Sequence, residues 1–460
     1  MVYSDKIRND PYSYQEGFGS YLVSEAVPNV LPDYGNNPKK CAYGLYAEQL
    51  SGTAFTVDRA NNQHTWLYKI RPSVGHLPLK PVAHHCMVGQ FSPDSPHIVP
   101  TPTQLRWDPL TELRDDYSDD DFVSSLRTVC GAGDAQTRNG LAIHLFAASK
   151  SMEKTAFYNS DGHFLVLPVV GDMDIKTELG MMRIFPGDIA VIPRGFKFTV
   201  ILCEGSEKIA GYVLEVFNGH FALPELGPIG ANCLANARDF KYPVASFEDV
   251  DEEWTILNKY LGGLYMATQN HSPYDVVGYH GNYSPYKYDL SKFCAVGSVT
   301  FDHPDPSIFT VLTCRSDSLR TPIADFIIFP PRWLVAENTF RPPYFHRNCM
   351  SEFMVNVRGV YDAKAGGFLP GGASLHSMNA AHGPDVETFE QASNVELVPQ
   401  KVGVGSLSIM FESSYQLATT EWAIQISKKI QKDYHKVWDG FTPYFRKYHK
   451  DGLIGQIVDD

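Results

Sequence analysis

Short apolar or alternating runs, each closed by a turn signal, recur along nearly the whole chain and leave little room for helices. In the first half such runs stand at 65–70, 141–146, 164–170, 189–192, 198–202 and 209–216. In the second half they stand at 293–301, 308–313, 323–329, 353–357 and 407–411, the third of these closed by Pro330-Pro331. Glycine (36) and proline (31) together supply the frequent turns this pattern needs. Many short strands with frequent turns predict a mainly β protein of the sandwich or barrel type. One segment breaks the pattern: in 420–438 the residues Trp422, Ile426, Ile430, Tyr434 and Val437 follow in steps of four and three. That spacing predicts a C-terminal surface helix packed on the β domain. Residues 1–60, rich in Gly, Pro, Asn and Tyr, read as an irregular arm with short strands, and 220–290 read as looser. At ~150 residues per domain the length allows two or three domains. A boundary is expected within 285–295, giving an N-terminal β unit over 1–290 and a C-terminal unit over 291–460.

Charge and cysteine usage narrow the function. A net charge of −13 with no long basic run opposes binding to nucleic acid or to an anionic membrane. The eight cysteines are scattered without a C-x-x-C pair, which favours free thiols in a reducing compartment over a disulfide scaffold. Met1 to Asp10 is polar without an apolar signal core, and no run of 18 apolar residues exists to span a membrane. A cytoplasmic location is expected. The phosphate-binding loop, the dinucleotide fingerprint and the G-x-S-x-G elbow are all missing.

The two halves share a turn. Gly187-Asp188 is followed by a strand-like run and then Pro193-Arg194-Gly195. Gly366-Gly367 is followed by Pro370-Gly371-Gly372 and, a few residues on, His376. Both stretches resemble the second motif of cupin barrels, where Pro-x-Gly precedes a metal-binding histidine. The first half has Phe196 to Phe198 where that histidine would fall. The resemblance implies two cupin-like β modules, the first without metal and the second carrying one.

The stretch richest in chemistry runs from Phe340 to Phe353 and holds His346 and Glu352; His376 and His382 follow. Two imidazoles and one carboxylate make the ligand set of non-haem Fe(II) oxygenases, which leaves positions open for a chelating substrate and for O2. His346 and Glu352 are six positions apart. On one straight strand that spacing puts them ~20 Å apart. On a helix they stand ~9 Å apart along the axis and point about 120° away from each other. Neither brings two side chains to a common ion at ~2 Å. A bend between them does, and Asn348 suits the turn. His346 would end one strand and Glu352 begin the next.

Spacing leaves alternatives open. An isolated histidine is more often a hydrogen-bonded structural residue, and an isolated glutamate a solvated surface charge. Zn2+ or Mn2+ also suits such a site, and either His376 or His382 could be the second imidazole. Cys349, between the first two candidates, is expected to be a small buried filler rather than a thiolate ligand. His303, in Asp302-His303-Pro304-Asp305, falls at a strand end among acids and prolines. It reads as a base working near neutral pH or, equally, as a turn histidine bonded to its neighbours.

Together these stretches resemble the homogentisate 1,2-dioxygenase family. Gly17-Phe18-Gly19, Ser24-Glu25-Ala26, the run from Tyr43 to Thr56, Arg71-Pro72-Ser73-Val74, Phe329-Pro330-Pro331-Arg332-Trp333 and Phe411-Glu412-Ser413-Ser414 extend the likeness in colinear order. It covers residues from about 10 to about 440. The resemblance implies that His346, Glu352 and His382 hold Fe(II), and that His303 accepts a proton from the substrate's ring hydroxyl. Tyr361 would help bind the substrate with His382 lining the same pocket, and His376 would sit in the pocket or behind the ligands. It further implies that homogentisate and O2 become 4-maleylacetoacetate in tyrosine and phenylalanine catabolism. The implied assembly is a homohexamer, a dimer of trimers, in which a large β domain precedes a smaller metal-bearing one. Two departures stand out: Phe345 occupies a position where the family often has Tyr, and 225–290 follow the family less clearly. A non-enzymatic bicupin and a Zn2+-dependent cupin isomerase are the competing readings.

Overall fold

A computed structural model describes residues 8–83, 86–112, 119–318, 321–361 and 366–445. The chain is mainly β. A ten-stranded sheet has at its centre the strands Asp188–Ile192, His163–Val170, Ile209–Val216, Asn139–Ala148 and Arg127–Asp134. A seven-stranded sheet containing Thr155–Asn159, Phe198–Leu202 and Trp254–Tyr260 packs on it, and Phe157 stacks on Phe164 across the gap at 6.0 Å. The strands at the centre of the ten-stranded sheet read as largely apolar runs because both their faces are buried, with a few buried polar residues such as His144 and Glu215 paired to each other.

The third sheet, also of seven strands, runs in the order Phe221–Ala222, Thr310–Arg315, Pro322–Phe329, Leu407–Ser413, Ser351–Arg358, Ala373–His376, Leu105–Trp107. Its two edge strands, Phe221–Ala222 and Leu105–Trp107, come from the first half of the chain. In return the late strand Ala418–Thr420 pairs with Arg127–Asp134 in the ten-stranded sheet. The halves are therefore stitched by backbone pairing as well as by packing.

Strand alternation decides what the third sheet does. Phe353 lies opposite Phe411, and both turn into the main core, with rings 6.4 Å apart and within 9° of parallel. Phe353 also meets Trp107 and Tyr212, while the Tyr212 hydroxyl donates to the Gly371 carbonyl at 2.8 Å. Burial of Phe353, Val355 and Val357 contributes about 1.5–3 kcal/mol per side chain. The intervening residues Glu352 and Met354, and their partners Glu412 and Met410, point to the other face. There Met354 and Met410 pack with Phe309, Ile327, Tyr361 and Phe368 in a separate small cluster.

Both Pro-x-Gly turns form. In the first the last residue, Gly195, takes φ 90°; in the second it is the middle residue, Gly371, that takes φ 82°, so the left-handed position that favours glycine differs by one between the two turns. After the first turn, Phe196 and Phe198 are buried in the core. After the second, the strand Ala373–His376 ends in a buried histidine.

Three expectations need correction. The segment 420–438 is not one helix: it forms a π turn at Trp422–Ile426 and a 3-10 turn at Tyr434–Trp438. Between them Lys428 takes φ 54°, and the chain then extends along Leu105–Trp107. There Asp108 N–H donates to Lys429 C=O, and Gln431 N–H donates to Arg106 C=O, each at 2.8 Å. Tertiary backbone pairing wins over helical spacing: Trp422 and Tyr434 are buried, but Ile426, one of the five spaced apolar positions, is 55% exposed. The nine-residue α-helix Val386–Asn394, capped by Asp385 accepting from Thr388 N–H, lies elsewhere. The run 293–301 is irregular apart from single bridges at Cys294 and Phe301. Residues 220–290, expected to be loose, contain the strands Phe240–Pro243, Trp254–Tyr260, Gly263–Gln269, Val276–Gly281 and Tyr286–Asp289.

Candidate metal centre

His346 and His382 face each other across an isolated antiparallel bridge. His346 N–H donates to His382 C=O at 2.9 Å, and His382 N–H donates back to His346 C=O at 3.1 Å. Pro342 and Pro343 bias their predecessors to extended backbone, which suits the approach to this bridge. The chain then bends through Asn348, whose Oδ1 accepts from Met350 N–H at 2.8 Å in an Asx-type turn. Glu352 follows as the second residue of the strand Ser351–Arg358. The bend that the six-residue spacing demanded is there and Glu352 does open a strand, but His346 sits on a single bridge and not at the end of a strand. One donor atom each from His346, Glu352 and His382 falls within 4.8 Å of the others.

Hydrogen bonds set the chemistry of these atoms. His346 Nδ1 donates to Tyr344 C=O at 2.8 Å, and His382 Nδ1 donates to Ala380 C=O at 2.9 Å. A carbonyl can only accept, so each neutral ring keeps its lone pair on Nε2. Those Nε2 atoms point at the two Glu352 oxygens, at 3.3 Å from His346 and 3.0 Å from His382. Two lone pairs facing a carboxylate repel unless a proton or a metal cation lies between them. Carbonyl-oriented imidazoles with a carboxylate are also the usual build of a metal site. The donor set therefore fits a divalent metal. Burial works against the charge on Glu352, but the His346 and His382 imidazoles outweigh it and hold the carboxyl well below the usual carboxylate range. The same contact with Glu352 raises the His346 imidazole. Asn348 Nδ2 donates to Glu352 Oε1 at 2.7 Å and fixes the carboxylate's rotation.

Beside these donors lies a cavity of about 350 Å³, a size that suits a single-ring ligand. His303, Tyr361, His376 and all three donor residues line it, so every site residue expected from sequence meets here. His303 is half-buried; its Nδ1 donates to Pro304 C=O at 3.0 Å, and its ring meets Tyr344 edge-on at 5.0 Å. Tyr361 is buried among Phe329 and Phe368. His376 stacks on His382 with centroids 4.1 Å apart and planes within 15°. The geometry brings His382, not His376, to the donor cluster.

One local expectation changes, and the departure at Phe345 finds its place. Cys349 is exposed, not a buried filler, and lies outside the donor cluster. Phe345 turns away from the cavity and packs on Phe389 and Phe441, lining an open groove on the other side of the two imidazoles.

Sequence reasoning missed Glu412 and the arginines Arg332 and Arg341 in the cavity wall. Glu412 lies directly across the sheet from Glu352. Burial, then the neighbouring Glu352 and Asp325 carboxylates, push it up to about 8. The only sequence signal for it was its place in Phe411-Glu412-Ser413-Ser414. Arg332 sits over the Phe309 ring, and Arg341 donates to the Ala336 and Val398 carbonyls.

Comparison with known proteins now bears on this site. The family model described as homogentisate 1,2-dioxygenase N-terminal matches residues 13–290, and its C-terminal counterpart matches 291–445. The homogentisate 1,2-dioxygenase of Caenorhabditis elegans is 53% identical over 95% of this chain and 98% of its own. The human homogentisate 1,2-dioxygenase is 51% identical over 94% of this chain and 96% of its own. A cupin 2 conserved barrel domain protein from Leptotrichia buccalis aligns at 11% identity over 59% of this chain and 83% of its own, with a TM-score of 0.25, too loose a likeness to bear on the site. Two adjoining family models and identities above half across nearly all of both chains agree: this chain belongs to the homogentisate 1,2-dioxygenase family.

Proposed function

We propose that the chain is an Fe(II)-dependent ring-cleaving dioxygenase that converts homogentisate and O2 to 4-maleylacetoacetate, a step of tyrosine and phenylalanine catabolism. The observation that carries this reading is the meeting of His346, Glu352 and His382 donor atoms within 4.8 Å beside a cavity large enough for one aromatic ring. These three residues would hold the iron. When bound, Fe(II) acidifies a coordinated ring hydroxyl and lets electron density pass from the ring to O2.

The chain's own residues do the rest. His303 spends Nδ1–H on the Pro304 carbonyl, so its Nε2 lone pair is the atom left to take the hydroxyl proton. Tyr361 offers a phenolic donor to the substrate's carboxylate from an apolar surround of Phe329, Phe368 and Met354. His382 borders the same pocket, and His376 packs behind it. The cavity face of Met354, Met410 and Phe309 excludes water from the ring.

The functional units divide at about residue 290, an N-terminal β unit over 1–290 and an iron-bearing unit over 291–460, in keeping with where the two family models meet. Residues 446–460 lie outside the described residues. A homohexamer built from two trimers belongs to the same reading, and the large apolar side chains exposed in the first part of the chain, Tyr34 at 90%, Phe55 at 82% and Val74 at 82%, are surface available to such contacts. A cytoplasmic location is supported by the free thiols. Among the described residues no helix is long and apolar enough to cross a membrane.

The test is metal analysis of anaerobically purified protein, followed by the absorbance of the ring-cleaved product on adding homogentisate and O2. Iron with product formation, both lost in His346→Ala and Glu352→Ala while the fold persists, is the expected result. Zinc in place of iron, or full activity in either variant, ends the proposal.

A further inference from the structure

The His382 ring is gripped on two sides. His346 meets it edge-on, with centroids 4.1 Å apart and planes 60° apart, and His376 lies flat on it at the same distance. His376 is itself held from behind: its Nε2 and the Tyr434 hydroxyl are hydrogen-bonded at 2.9 Å. Both residues are nearly inaccessible, His376 at 1% and Tyr434 at 3% exposure. Tyr434 comes from the C-terminal segment, far from the donors in sequence.

Three contacts seat that segment. The Arg106 guanidinium lies over the Tyr434 ring, 4.4 Å from its centroid. Gln431 donates through its amide nitrogen to Asp108 Oδ1 at 2.7 Å and to Gly367 C=O at 2.9 Å, while its amide oxygen accepts from Arg106 Nε. Ile430 bridges Trp107. The strand Leu105–Trp107, which receives all this, pairs in turn with Ala373–His376. First half, C-terminal segment and histidine thus converge on the angle of one ring.

We propose that Tyr434 is a positioning residue for the metal centre, holding His376 flat against His382 and so coupling the seating of the C-terminal segment to metal affinity. The inference rests on the metal reading of the site given above. Outer partners that orient a ligand imidazole typically carry about 10–100-fold in metal affinity or activity. Tyr434→Phe removes one oxygen and leaves the ring packed beneath Arg106.

The test uses the full chain freed of metal and titrated with Co2+, whose visible absorption reports ligand geometry. Tyr434→Phe should bind Co2+ more weakly by about tenfold, the low end for an outer partner because it acts through His376, and show an altered visible spectrum at saturation. His376→Leu should weaken binding comparably, and the double variant should be no worse than His376→Leu, because the tyrosine acts through the histidine. A purely structural tyrosine would lower the thermal midpoint of the metal-free chain but leave affinity and spectrum unchanged; that result overturns the proposal, as does strict additivity in the double variant. If the unaltered chain takes up no Co2+, the metal reading itself fails, an outcome distinct from equal binding by the unaltered chain and Tyr434→Phe.

Discussion

Asn348 is the residue on which the geometry of the carboxylate most directly depends. Its side chain does two jobs: Oδ1 closes the bend by accepting from Met350 N–H at 2.8 Å, and Nδ2 donates to Glu352 Oε1 at 2.7 Å. Asn348→Ala removes both. Hydrogen-bonding partners of a ligating carboxylate typically carry about 10–100-fold in metal affinity or activity. Fe(II) binding should therefore weaken by about 10–100-fold. Loss of the turn bond takes a further ~1 kcal/mol from fold stability, with or without metal. The two effects separate with Asn348→Ser. Its hydroxyl still accepts from the turn amide but is too short to reach Glu352, so stability should recover while affinity stays low. Anaerobic Fe(II) titration against a competing chelator reads the first quantity, and urea unfolding of the metal-free chain reads the second. An Asn348→Ala variant binding iron within about twofold of the parent would refute the orienting role, since even the low end for a partner of a ligating carboxylate is about tenfold.

Other consequences are more local. Lys259 is fully buried and bridges Asp161 at 2.6 Å and Glu215 at 2.9 Å, so Lys259→Met removes the cation that two buried carboxylates share. Stability in urea should fall by about 3–5 kcal/mol; a loss under ~1 kcal/mol would mean that water reaches the pair. In the same network burial opposes the charge of Glu215, but Lys259 and His144 hold it down to about 2 from 4.5. A carboxyl depressed on folding adds stability that is present above pH 4.5 and lost as pH falls toward 2. Glu215→Gln should therefore flatten the acid limb of a stability–pH profile; an unchanged limb would assign acid unfolding to other groups. Phe345→Tyr restores a hydroxyl that the packing on Phe389 and Phe441 directs away from the cavity. Iron affinity and KM should stay within about twofold and stability within ~0.5 kcal/mol. A tenfold change in KM would place that ring in the substrate's path.

The strands were legible because alternation and turn residues are local signals: Phe353–Val357 and the two Pro-x-Gly turns lie where the pattern put them. The bend between His346 and Glu352 was legible because no straight element lets residues six apart share an ion. Spacing alone could not choose between His376 and His382; the family resemblance pointed to His382, and the physical reason is the backbone bridge of His346 to His382, which joins residues far apart in the chain. Glu412 was hidden for the same reason, since its partnership with Glu352 exists only in the sheet register. The helix expected at 420–438 failed because the backbone at Lys429 and Gln431 bonds to Asp108 and Arg106 instead, and the apolar spacing marked only part of the buried face, Ile426 being 55% exposed. Trp422 and Tyr434 are both buried, one on a π turn and the other on a 3-10 turn.

The site's donors come from loops and a strand start, yet their geometry does not wait for a metal. Backbone pairing seats both imidazoles, carbonyls fix both tautomers, and Asn348 sets the carboxylate, all through contacts that contain no ion. Glu352 is also anchored from below, because its strand buries Phe353 between Trp107, Tyr212 and Phe411. A site ordered by the fold spends little of the metal's binding energy on ordering the chain. Removing metal should therefore lower stability only by the binding linkage, about 2.7 kcal/mol when free metal stands at 100 times Kd. The β-sheet circular dichroism of the chelated chain should match that of the metal-bound chain at 25 °C, with only the thermal midpoint displaced. Loss of sheet signal on chelation at that temperature would show instead that the metal nucleates this part of the fold. The bridge between His346 and His382 would then be a consequence of binding and not its cause.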